Sequence, residues 1–98
     1  MAFAVRTVTY QQNLMLNICD AYLVGRVLTK DDFSLNISQS YFAERVVEKA
    51  EAEELLKKYN VINMVGKETI SLSVNIGIGS LKGVKEIEGI PFLLVFKF

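Results

Sequence analysis

The chain has 98 residues, no histidine and a single cysteine, Cys19. Without an imidazole there is no Ser–His or Cys–His couple, no ordinary general base near neutral pH, and no ligand set of the kind zinc most often takes. Cys19 is followed by Asp20. A neighbouring carboxylate raises a thiol pKa instead of lowering it, so Cys19 reads as a small, inert, buried residue. Asp31-Asp32 sets two carboxylates side by side, yet nothing around them supplies the six or more oxygens of a calcium loop; they read as a solvated turn. Glu51 and Glu54 have the chemistry for acid–base work, but a helix start explains them already. The expectation is a protein without catalytic residues, metal or cofactor, and not an enzyme.

Two stretches have the composition of anion sites. Gly77-Ile78-Gly79-Ser80-Leu81-Lys82-Gly83 is glycine-rich, but a dinucleotide loop needs a strand before it and a helix after it. Here another strand follows, so the glycines read as loop residues. Asn63-Met64-Val65-Gly66-Lys67 is the better candidate. If a helix starts beside it, free N–H groups, the helix dipole and Lys67 converge on an anion. Asn63, Gly66 and Lys67 are thus the expected small-anion site, the plainer reading being that Asn63 caps the helix and Gly66 permits close packing.

The elements that would position these residues follow from patterning. Phe3–Tyr10 alternates and is rich in Val and Thr; with a turn at 11–13 and a more buried run from Leu14 to Cys19 it forms a β-hairpin. Asp20 stands where an N-cap belongs before one short helical turn at 21–24, which Gly25 ends. Thr29–Asp32 reads as a polar turn, Phe33–Ile37 as a strand and 38–40 as loop. Glu48–Tyr59 is the clearest helix. Its acids lead, Lys57 and Lys58 close it, Glu53–Lys57 and Glu54–Lys58 pair at i, i+4, and Ala52, Leu55, Leu56 and Tyr59 supply the buried stripe. In 67–78 the strict alternation of Ile70, Leu72, Val74, Ile76 and Ile78 favours a strand, and pattern alone does not decide against a helix. Val84–Ile87 reads as a short strand, and Pro91 opens a buried strand over Phe92–Phe98.

This length suits one domain with one ordinary core. About half the residues are apolar and 22% are charged, as in globular proteins. A lone cysteine asks for no oxidising compartment, and the most apolar run, 14–28, is interrupted by Asn17, Asp20, Gly25 and Arg26, so no membrane span is expected. The expected location is the cytoplasm. Formal charge is zero but unevenly spread: +2 over residues 1–30, −5 over 31–56 and +3 over 57–98. Arg6, Arg26, Lys30, Lys82, Lys85 and Lys97 all lie outside the acidic block and are the candidate residues for an RNA-contacting face.

The motifs themselves resemble a known family. Asn-x-Val-Gly at 63–66, the apolar positions Ile70 and Val74, Gly77 with Ile78, and Ile87-Glu88-Gly89-Ile90-Pro91 are similar to domain of unknown function 424, an archaeal family. Asn17-Ile18-Cys19-Asp20 with Leu23 and Gly25 resembles its Cys-Asp-x-x-Leu-x-Gly stretch. The resemblance implies a compact α+β fold, a helix over 67–77, no assigned enzymatic activity and an association with translation genes. Where members usually carry Pro-His-Ala-Gln this chain has Pro91-Phe92-Leu93-Leu94, so no role of that histidine or glutamine carries over. The resulting expectation is a single α+β domain with a small mixed or antiparallel sheet and about two main helices. It would act as a non-enzymatic protein of the translation machinery that touches RNA or a ribonucleoprotein surface. The alternative is a protein–protein module, homodimeric or with another partner, using apolar surface such as the last strand or the acidic helix.

Overall fold

The computed structural model of the chain describes residues 1–97. Strands β1 (Ala2–Tyr10) and β2 (Asn13–Asp20) form the expected hairpin, in unbroken register from Phe3 opposite Asp20 to Tyr10 opposite Asn13. A 3-10 turn, Ala21–Leu23, follows β2. Next come β3 (Val27–Lys30) and β4 (Phe33–Asn36), which make a two-stranded sheet of their own. The polar turn expected at Thr29–Asp32 is shorter: Thr29 and Lys30 pair with Ser34 and Phe33, leaving Asp31-Asp32 to reverse the chain.

Residues 38–40, expected as loop, instead begin the short helix α1 (Gln39–Phe42), where Ser38 Oγ accepts the Tyr41 N–H at 3.2 Å. The pattern had not marked β5 (Arg45–Glu48) or β6 (Val61–Val65). Helix α2 (Lys49–Lys58) stands where expected, and α3 (Lys67–Asn75) confirms the helix implied by the resemblance over the strand favoured by alternation. A second 3-10 turn, Leu81–Gly83, leads into β7 (Lys85–Ile87) and β8 (Ile90–Phe96); Phe98, at the end of the expected last strand, lies outside the described residues.

The main sheet has the order β5-β1-β2-β6-β8-β7. Every pairing is antiparallel except β2 with β6, which run parallel with Asn17 opposite Asn63 and Cys19 opposite Val65. The fold is therefore α+β with a mixed sheet. Its two faces have separate cores. Phe3, Val5, Leu16, Ile18, Ile62, Met64 and Leu93 meet Ala52 and Leu56 of α2 and Ile70 and Leu72 of α3. Ala4, Cys19, Val65, Ile87 and Ile90 point the other way and meet Leu23, Leu28, Ile37 and Phe42. The period-2 alternation of the strands is what allows one sheet to serve both layers.

The helix at 67–75 hides its stripe. Its buried residues are Thr69, Ile70, Leu72 and Ser73, the i, i+1, i+3, i+4 pattern of a helix face. Two of the four are hydroxyl residues and look polar in a sequence, while Ile76 and Ile78, which complete the alternation, follow the helix end. In α2 the ion pairs expected at i, i+4 are not the ones formed; among the described residues the ion pair is Arg45 with Glu51, joining β5 to the helix. Both partners are half exposed, so it adds little stability. Lys58 lies over the Tyr59 ring, 5.5 Å from its centroid. Among the described residues, no helix is long and apolar enough to cross a membrane.

Cys19 is fully buried in the second core. Burial first, and the Asp20 carboxylate second, push its thiol from 9.0 up to about 12. A pKa raised on folding contributes stability that is complete below the unfolded value and lost as pH rises toward the folded one. Between about pH 9 and 12 the unfolding constant should therefore rise by an extra factor of about ten per pH unit, a component absent from Cys19→Ala. Native protein should also react with a thiol reagent orders of magnitude more slowly than unfolded protein; equal rates would contradict the burial.

Candidate functional site

The parallel contact decides what the start of α3 can do. Because β2 and β6 run side by side in the same direction, the residue that ends β2 lies beside the turn from β6 into α3. That residue is Asp20, 1% exposed. The Glu68 N–H donates to Asp20 Oδ2 at 3.1 Å, and the Thr69 N–H and hydroxyl donate to Oδ1 at 2.8 and 2.7 Å. The side chain expected to cap residues 21–24 makes no cap bond there; it caps α3 instead, from a distant point in the sequence.

This corrects the anion-site expectation. The free N–H groups of α3 are real, but the chain's own carboxylate already holds those of Glu68 and Thr69, where helix dipole and hydrogen bonds both favour a negative charge. Gly66 adopts φ 115 and ψ 150, backbone open essentially to glycine alone. A Cβ there would lie 2.4 Å from the Asp20 carboxyl carbon. Asn63 does not cap the helix; it lies mid-strand in β6, opposite Asn17 and Leu94. Lys67 is exposed on the first turn of α3. The glycine-rich run packs instead of cradling phosphate: a Cβ on Gly79 would meet Leu93 Cδ2 at 2.8 Å.

The candidate basic residues do not share one face. Lys97 Nζ donates to the carbonyls of Leu56 and Lys57, at 2.6 and 3.3 Å, so it closes the C-terminus of α2; partial burial draws its pKa below the ordinary value. Lys82 lies in the 3-10 turn before β7, and Arg26 precedes β3, at the other end of that strand from Lys30. Arg6 occupies a cross-strand row with Asn17, Asn63 and Leu94 on the face away from α2 and α3. In that row Asn17 is fully buried and its Nδ2 donates to the Tyr41 carbonyl at 3.0 Å. Among the described residues, Asn17 Oδ1 and Arg6 Nε have no hydrogen-bond partner.

Two candidates do converge. Lys30 and Lys85 line one cleft of about 780 Å³, Lys30 from the tip of the β3–β4 hairpin and Lys85 from the edge strand β7. Phe33 and Phe92 stack within it, ring centroids 6.2 Å apart and 21° between planes, with Phe33 52% exposed. Asp31, Asp32 and Glu86 complete the charged lining. The Thr29 N–H donates to Glu88 Oε2 at 2.7 Å and ties the hairpin to the β7–β8 turn. Sequence reasoning missed the two phenylalanines. Phe33 was legible as a strand residue; that it faces Phe92 depends on a hairpin docking onto a sheet edge, which no local pattern encodes. Among the described residues, no group of three or more Cys, Asp or Glu is gathered as a metal site.

The fold and cleft together define a small α+β domain: a six-stranded mixed sheet covered by two helices on one face and incompletely by a hairpin on the other. The chain belongs to the family described as protein of unknown function (DUF424), whose model matches residues 8–98. The same fold is seen in the crystal structure of an uncharacterized conserved protein from Methanopyrus kandleri, with a TM-score of 0.80 and 20% identity, covering 100% of this chain and 93% of that one. No curated protein matches the sequence.

The Asp20 cap makes a direct prediction. Gly66→Ala should cost about 2–4 kcal/mol through strained backbone and collision with the carboxylate, and Asp20→Ala a similar amount by orphaning three donors. Because both disrupt one contact, the double variant should lose less than the sum. Urea titration reads all three; a Gly66→Ala midpoint equal to wild type would refute the geometry.

Proposed function

We propose that this chain is a non-enzymatic binding protein of the translation machinery that contacts single-stranded RNA, within a ribonucleoprotein, through the cleft between the β3–β4 hairpin and β7–β8. The observation that carries the reading is the pair of lysines, distant in sequence, on either side of a half-exposed aromatic stack. An aromatic ring takes any base on its face, and flanking cations take the phosphates. The placement of charge supports it: helix α2, with Glu51, Glu53 and Glu54, covers the opposite face of the sheet, so three of the seven acids in residues 31–56 are turned away from the cleft. Three carboxylates remain at the cleft and hold naked-RNA affinity down, which fits a partner presented on a composite protein–RNA surface.

A protein partner, or a second copy of the chain, is the competing reading. The specific feature favouring it is Leu94, 47% exposed on the sheet face that contributes Phe92 to the cleft.

Binding of labelled single-stranded RNA across a salt series separates the two. Two phosphate contacts at about 0.7 each give a shallow slope of log affinity on log salt, roughly −1.4, against the −2 to −3 that the dispersed basic residues would give on one face. Lys30→Ala with Lys85→Ala should flatten it further. Phe33→Ala should weaken binding by about 1–3 kcal/mol without changing the slope. Unchanged affinity in Phe33→Ala, or no association with RNA or ribosomal particles at low salt, would leave the protein-partner reading.

A further inference from the structure

We infer that the cleft discriminates among nucleotides, preferring bases that carry an exocyclic amino group over uracil; this rests on the RNA-binding reading above. Among the described residues the ion pair formed is Arg45 with Glu51, so Lys30, Lys85, Asp31, Asp32 and Glu86 line one cleft without pairing with each other. An anion without hydrogen-bond donors would meet three carboxylates there, and a simple cation would meet two ammonium groups. A ligand that carries both negative charge and N–H donors suits the two sets.

A nucleotide has that layout. Its base stacks on Phe33, its phosphate meets a lysine, and an exocyclic amino group donates to a carboxylate, as the N4 amino of cytosine does to Asp or Glu elsewhere. Uracil differs from cytosine at that edge by presenting a carbonyl, which a carboxylate repels. The three acids thus act as a filter: they weaken phosphate binding in general and return more of that loss to amino-bearing bases than to uracil, whose one N3–H donor lies between two carbonyls that a carboxylate repels.

Cytosine and uracil have the same ring size, so comparing them removes stacking differences. With the full chain, fluorescence anisotropy should show a short oligocytidylate binding about tenfold tighter than an oligouridylate of equal length. Asp31→Asn with Asp32→Asn should bring the two within about twofold and raise the affinity for oligouridylate, because an amide donates to the uracil carbonyl as readily as it accepts from an amino group. Asparagine tolerates the positive φ of 54 at position 31, so the fold should survive, and Glu86→Gln provides an independent readout from the sheet side. Equal binding of both oligomers by the wild-type protein would overturn the filter and leave the RNA reading standing. Undiminished preference in the Asp31/Asp32 and Glu86 variants would also overturn it. Binding of neither oligomer would overturn both readings.

Discussion

A buried carboxylate organises this fold. Asp20 leaves the end of β2 and closes the start of α3, and the bond is possible because β2 and β6 are the one parallel pair in an otherwise antiparallel sheet. Burying a charge is costly unless hydrogen bonds replace its water. Here three donors on two oxygens supply that replacement, and the helix dipole adds to it. The consequences spread outward: Gly66 has no room for a side chain, α3 is fixed over β6, and Ile70 and Leu72 reach the first core. Gly66 N–H also donates to the Pro91 carbonyl at 2.8 Å, so the same corner holds β8, the strand that contributes Phe92 to the cleft.

The unequal covering of the two faces then leaves the cleft open. Helices α2 and α3 lie across one face, whereas the other is met by a four-residue helix, the 3-10 turn Ala21–Leu23 and a short hairpin, which leave parts of it in contact with solvent. The hairpin is held at its tip by Glu88 and the aromatic stack, and at its base by Gly25 N–H donating to the Ile37 carbonyl at 2.7 Å. Each wall of the cleft carries both signs of charge, Lys30 with Asp31 and Asp32 on the hairpin and Lys85 with Glu86 on β7.

How much of this was legible depends on whether the signal was local. The first hairpin, α2 and β8 announce themselves by alternation, by charge order or by an apolar run. Val61–Val65 did not, because a central strand buried on both faces shows no alternation and Asn63 interrupts its run. Arg45–Glu48 is an edge strand with two valines between charges, too short to be periodic. In α3 the buried hydroxyls of Thr69 and Ser73 concealed the helical stripe. The resemblance to a known family, with its motifs at Cys19-Asp20 and at 63–66, marked residues that the fold brings together, yet the reason for that pairing, a cap made across the sheet, is a tertiary contact. The same is true of the site: Asn63, Gly66 and Lys67 were chosen because a helix start attracts anions, and that physics was right while the anion proved to be internal.

Two places in this fold compete for a ligand, the closed start of α3 and the open aromatic cleft. Amide chemical shifts recorded while the isotopically labelled protein is titrated with a short oligocytidylate measure this directly. The largest changes should fall at Lys30–Phe33 and Lys85–Phe92, with the amides of Glu68 and Thr69 unmoved because Asp20 keeps them. Shifts that begin at 67–69 and leave the cleft unchanged would contradict it.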